Sequence, residues 1–150
     1  MSDALRLLKQ LDIFNELSEQ ELSEVAQLCY EAAYQAGDVI LNVNDPADRL
    51  YLIRRGNVEV ITRPGAAEAE VPPGDAVRIT LGQGQIFGEM GLVDRGARSA
   101  TVQAESDTDV YIVDYERFLA LCDQFPTLGY RVMRNIAADL SFNLRHSNLV

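Results

Sequence analysis

With 150 residues, the chain is near the commonest size for one domain and long enough to bury a core without disulfides or metal. Its 13 basic and 23 acidic residues leave a net charge of −10. That balance argues against general binding to a nucleic-acid backbone and against docking on anionic membranes. A small anionic ligand would need a concentrated positive site.

The chain begins with a helical pattern in which Ala4, Leu8 and Leu11 share a face. Ser18 and Glu21 form a capping-box signature, and Leu22, Val25, Ala26 and Cys29 follow at helical spacing, so a second helix is predicted. Residues 1–35 are read as N-terminal helices. Gly37 and Asp38 break the pattern, and short strand-like runs follow to Val113: DVIL, RLYLIR, NVEVIT, AVRITL, QIF, ATVQA and TDVYIV. Val58 and Val60 alternate with Asn57 and Glu59, as in a half-buried strand. Short strands at this rhythm predict an antiparallel barrel or sandwich, the jelly roll included. The segment 63–75, rich in Pro, Gly, Ala and acid, is predicted to be an exposed hairpin tip without chemistry.

The helical period returns after Val113. DYERFLALC predicts a short helix, and Pro126 suits the first position of a longer one. Leu128, Val132, Ile136, Leu140 and Leu144 then recur every four residues, with Met133 beside the stripe. Such spacing drifts around a helix, so the stripe is expected to dock in one place and meet something else in another, a second copy being one option. Residues 114–150 are read as C-terminal helices of a single domain, 1–150.

Several chemistries lack their residues. The one histidine, His146, lies near the chain end and reads as a solvated tail residue. A serine or cysteine triad needs a histidine held by structure, and a metal-binding cupin needs several. Cys29 and Cys122 form no CxxC pair and read as buried free thiols. GQGQIFG lacks the Gly-Lys-Ser/Thr ending of a phosphate loop. The protein is therefore read as a non-enzyme without a metal or cofactor. No run reaches the ~20 apolar residues of a membrane span, and the N-terminus lacks a secretory core, so a cytoplasmic protein is expected.

One stretch does suggest a site: FGEMGLVDRGARSATV, Phe87 to Val102. Arg98 offers a permanently charged planar fork that matches a phosphate. Gly88, Glu89, Met90, Gly91 and Leu92 can form a helical turn whose amide N–H groups point at an anion, and glycine permits close approach. Ser99 and Ala100 add amide donors, and Glu89 can accept from a ribose hydroxyl. Taken alone, Glu89 and Arg98 also suit a structural ion pair across a loop.

The wider pattern GEMGL…RSATV resembles the phosphate-binding cassette of the cyclic nucleotide-binding domain family. AGDVILNVNDPADRLYLIRRGNVEVI is similar to that family's opening strands, with Gly37 and Gly56 at the turns, and DYERFLALCDQFP plus a long helix is similar to its closing helices. The likeness runs from about Leu11 to Leu144. It implies an eight-stranded antiparallel jelly-roll barrel with flanking helices, and cAMP or cGMP as ligand. By the resemblance, Glu89 would bind the ribose 2′-hydroxyl and Arg98 the cyclic phosphate. Gly88, Ser99 and Ala100 would line the phosphate, Thr101 would face the purine, Leu92 and Val102 would pack the pocket, and Asn143 would stand near the base. A departure is Ala97, where the family often has proline. The ligand-binding domain is similar to that of catabolite-activator-type regulators, but a chain ending at Val150 with this charge is expected to lack their DNA-binding part. The implied role is a receptor acting on a protein partner or dimerising through the last helix. The alternatives are the regulatory domain of a larger transcription factor, channel or enzyme, and a ligand-blind interaction module of the same fold.

Overall fold

A computed structural model describes residues 3–62, 76–94, 96, 98 and 100–146. The segment 63–75, read above as a hairpin tip, lies outside them. The chain divides into a helical unit, Met1–Cys29 with Val113–Val150, and a strand unit, Tyr30–Ile112.

In the helical unit, α1 (Asp3–Leu8) buries Ala4, Leu7 and Leu8. A 3-10 turn at Asp12–Phe14 leads into α2 (Glu19–Ala26). The capping box forms in full: Ser18 Oγ accepts from the Glu21 N–H at 3.1 Å, and the Ser18 N–H donates to Glu21 Oε1 at 2.9 Å. Two otherwise orphaned amide donors are thereby satisfied at the helix start. The helix stops at Ala26, short of the predicted Cys29. Cys29 is half-buried beyond the helix end rather than fully buried, and Cys122 is likewise half-buried within α4.

α4 (Tyr115–Gln124) buries Tyr115, Phe118 and Leu121, with Phe118 tilted against Phe14 at 6.2 Å between ring centroids. α5 (Pro126–His146) starts at the proline and buries Leu128, Val132 and Ile136. Leu140 is half-buried and Leu144 exposed. Each four-residue step turns about 40° beyond a full circle, so the stripe rotates off the docked face. Side chains on α5 also hold the 3-10 turn and the residues after it. Asn135 Nδ2 donates to the carbonyls of Ile13 and Asn15 at 3.1 and 2.9 Å. Arg131 Nη1 donates to the Glu16 carbonyl and to Glu21 Oε1, both at 3.1 Å.

The strands are β1 (Tyr30–Tyr34), β2 (Val39–Leu41), β3 (Arg49–Arg55), β4 (Val58–Thr62), β5 (Val77–Leu81), β6 (Ile86–Phe87), β7 (Thr101–Ala104) and β8 (Thr108–Asp114), all in the strand unit but for the last two residues of β8. They form two four-stranded antiparallel sheets, ordered β1-β8-β3-β6 and β2-β7-β4-β5. The expected eight antiparallel strands are present, arranged as two sheets. The first begins at Tyr30, inside the segment read as helical. Its sequence, YEAAY, is too rich in alanine to show strong alternation. Between the sheets lies a core of Leu41, Tyr51, Ile53, Val58, Phe87, Val102, Val110 and Ile112, drawn from both. It fixes β3, β6 and β7, the strands that border the cassette.

Among the described residues, no helix is long and apolar enough to cross a membrane. No cluster of three or more His, Cys, Asp or Glu suited to a metal occurs among them either.

Candidate functional site

β6 ends at Phe87, and its ring stacks on Tyr51 of β3 with centroids 4.7 Å apart and planes 3° apart. The chain then turns sharply at Gly88, whose φ is +85°. A Cβ there would come within 2.8 Å of the Arg49 carbonyl oxygen and 2.9 Å of Arg98 Nη1. Glycine is required both by the backbone angle and by the closeness of Arg98. Glu89 follows, half-buried, and its carbonyl accepts from the Leu92 N–H at 3.1 Å. The predicted helical turn is α3 (Met90–Asp94). Leu92 is buried in it, while Met90 is exposed.

Arg98 is the centre of the arrangement. It is 6% exposed, one of two buried polar residues among those described, the other being Thr108. Its Nη1 donates to the Gly88 carbonyl at 3.2 Å and its Nη2 to the Arg49 carbonyl at 2.8 Å. Asp48 Oδ1 stands 3.8 Å from Nη2, on a side chain that is largely exposed. Two neutral carbonyls thus orient the fork. The buried atoms Arg98 Nε and Glu89 Oε2 make no hydrogen bond to protein, although each residue is engaged through its other atoms. The Tyr51 ring lies beside Gly88. Burial pushes the Tyr51 phenol above its usual pKa and Tyr34 adds to the rise, against the pull of Arg49 and Arg98. Tyr51 is therefore a neutral wall at ordinary pH, not a counter-charge.

The main chain of Arg98 belongs to no helix or strand. Its N–H donates to the Asp45 carbonyl at 2.7 Å, and its carbonyl accepts from the Asn44 N–H at 2.8 Å. Ala100 is half-buried just before β7, and Thr101, also half-buried, opens that strand. The Thr101 hydroxyl accepts from the Val43 N–H at 3.2 Å. Val102 is buried in the core.

Gly88, Glu89, Met90, Leu92, Arg98, Ala100 and Thr101 thus all lie in the strand unit, on one continuous stretch around the head of α3 and the start of β7. Ser99 and Ala97 lie outside the described residues. Asn143 sits exposed on α5, in the helical unit, and is not among the residues that the strand unit gathers. Sequence reasoning passed over Arg49 and the Asn44–Asp45 turn, because they act through backbone atoms. The only signal was NDPAD, which reads as a turn. Chemically, a buried and oriented guanidinium beside a glycine turn can hold an anion.

The chain is similar to several known proteins. Glutaminase 1 of Bradyrhizobium diazoefficiens is 38% identical over 88% of this chain and 20% of that protein. The cyclic AMP receptor protein of Thermus thermophilus is 31% identical over 95% of this chain and 61% of that protein. The crystal structure of the Thermus thermophilus catabolite activator protein superposes with a TM-score of 0.75 at 30% identity, over 93% of this chain and 61% of that one. The chain thus spans between a fifth and three-fifths of these relatives. The profile of the cyclic nucleotide-binding domain matches residues 31–125, which takes in the second sheet, the glycine turn, the buried arginine and α4. By that match, and by the fold and the arginine-centred cassette it covers, the chain belongs to the cyclic nucleotide-binding domain family.

Proposed function

We propose that this protein is a receptor or regulatory domain for a cyclic nucleotide, cAMP or cGMP, and acts as a regulator rather than a catalyst. The observation that carries the reading is Arg98: a guanidinium 6% exposed, oriented by the Gly88 and Arg49 carbonyls, in a chain of net charge −10. Burial of such a charge costs folding free energy that a bound anion offsets.

In this reading Arg98 pairs with the cyclic phosphate. The amide groups of Ser99 and Ala100 and the turn at Gly88 line it. Glu89 accepts from the ribose 2′-hydroxyl, Met90 and Leu92 flank the pocket, Thr101 faces the purine and Asn143 approaches the base. The output passes through α5. Its first turns are held by buried Leu128, Val132 and Ile136, and its distal half exposes Phe142 and Leu144. A ligand that favours one placement of this helix shifts the equilibrium by its difference in affinity for the two states. The recipient is a protein partner or a second copy of the chain, in the cytoplasm, and the whole of residues 1–150 acts as one domain.

The test is titration calorimetry of nucleotide-stripped protein with cAMP and cGMP in parallel, alongside Arg98→Glu. Wild type is expected to bind one of them at micromolar concentration or tighter, and Arg98→Glu neither. Equal affinity in wild type and Arg98→Glu would sink the assignment.

A further inference from the structure

The turn between β2 and β3 makes three bonds to the stretch carrying Arg98, from three successive residues. The Val43 N–H donates to the Thr101 hydroxyl, the Asn44 N–H donates to the Arg98 carbonyl, and the Asp45 carbonyl accepts from the Arg98 N–H. These partners lie more than fifty residues apart in sequence. Arg98 has no helix or strand of its own, and both of its main-chain polar groups bond to this turn. The origin of the guanidinium is thereby fixed from one side, and its tip is fixed from the other by the Gly88 and Arg49 carbonyls.

The shape of the turn rests in turn on Asn44, which has φ of +73°. Asparagine is among the few side-chain-bearing residues that adopt this left-handed region readily. With Asn44 so placed, its own N–H and the next carbonyl both bond to the main chain of Arg98.

We infer that the β2–β3 turn is a positioning element of the anion site, and that Asn44 sets where Arg98 stands through its backbone conformation. The inference rests on the reading of Arg98 as the phosphate-binding group. Asn44 acts through Arg98 and is a positioning residue, not a ligand contact.

Two measurements on Asn44→Gly, Asn44→Ala and Asn44→Val test it: affinity for cAMP and cGMP by calorimetry, and amide hydrogen exchange at Arg98 in the ligand-free protein. Glycine tolerates the left-handed region, so Asn44→Gly is expected to keep affinity within about twofold and to keep the Arg98 amide protected. Asn44→Val, the least compatible, is expected to bind about tenfold more weakly and to expose the Arg98 amide to exchange, with Asn44→Ala between them. Should Asn44→Val not fold, the comparison of Asn44→Ala with Asn44→Gly decides. Protection and affinity equal to wild type in a folded Asn44→Ala or Asn44→Val protein would overturn the inference. Loss in Asn44→Gly as large as in Asn44→Ala would do the same. If wild type binds neither nucleotide, the functional reading fails by itself, and exchange at Arg98 still tests the role of the turn.

Discussion

Replacing Gly88 with alanine separates two effects that meet at one Cβ. The first is conformational. With φ at +85°, an L side chain costs roughly 1–2 kcal/mol. The second is steric. The new Cβ would lie 2.8 Å from the Arg49 carbonyl oxygen and 2.9 Å from Arg98 Nη1. The Arg49 carbonyl is fixed in β3, so the guanidinium is the group that gives way. Gly37 supplies the control: its φ is +93°, but a Cβ there would meet nothing within 4 Å. Gly37→Ala should lose about 1–2 kcal/mol in urea denaturation and keep nucleotide affinity. Gly88→Ala should lose about 2–4 kcal/mol, since overpacking adds to the conformational cost. It should also weaken nucleotide binding about ten- to a hundredfold, the worth of one charge-assisted hydrogen bond of roughly 1.5–3 kcal/mol. Calorimetry of both variants reads the difference. Wild-type affinity in Gly88→Ala, or an equal loss in Gly37→Ala, would refute the claim that this glycine serves Arg98.

Two further expectations concern stability. Asn135→Ala removes the donor shared by the Ile13 and Asn15 carbonyls and should lower unfolding free energy by about 1–2 kcal/mol, seen as a lower urea midpoint at unchanged slope. Burial pushes the Cys29 thiol up to about 12 and burial plus Asp123 pushes Cys122 up to about 11, from an ordinary 9.0. The folded chain then keeps protons that the unfolded chain releases, so stability is fully present below pH 9 and falls as pH rises from there toward 12. Urea midpoints measured from pH 7 to 11 should show that fall, and Cys29→Ala should flatten it; an unchanged alkaline slope in Cys29→Ala would show that the thiol is not its source.

What the sequence disclosed depended on how local the cause was. The capping box needs only Ser18 and Glu21, so it could be read directly, and both its bonds form. The rotation of the α5 stripe follows from the pitch of a helix, and Leu144 is exposed as that pitch requires. The end of α2 was misjudged because the apolar spacing continues to Cys29, while the chain is drawn into β1 by pairing with β8, eighty residues away. At the site, the residue types of the cassette were legible as a motif. The burial of Arg98 and its supports were not. Those supports are carbonyls of Gly88, Arg49 and Asp45 and an N–H of Asn44, groups that every non-proline residue carries and no pattern of side chains reveals.

The assembly of Arg98 from distant parts of the chain bears on the lifetime of the protein. The guanidinium is oriented by residues 49 and 88 and its main chain by residues 44 and 45, so an unfolded chain offers no equivalent site. A nucleotide that binds only the folded form adds about 2.7 kcal/mol of stability at a hundred times its dissociation constant. The unfolded fraction, on which proteases act, then falls about a hundredfold. The concentration of the signal would thus set the rate at which its receptor is degraded, and abundance would follow the ligand without any change in synthesis.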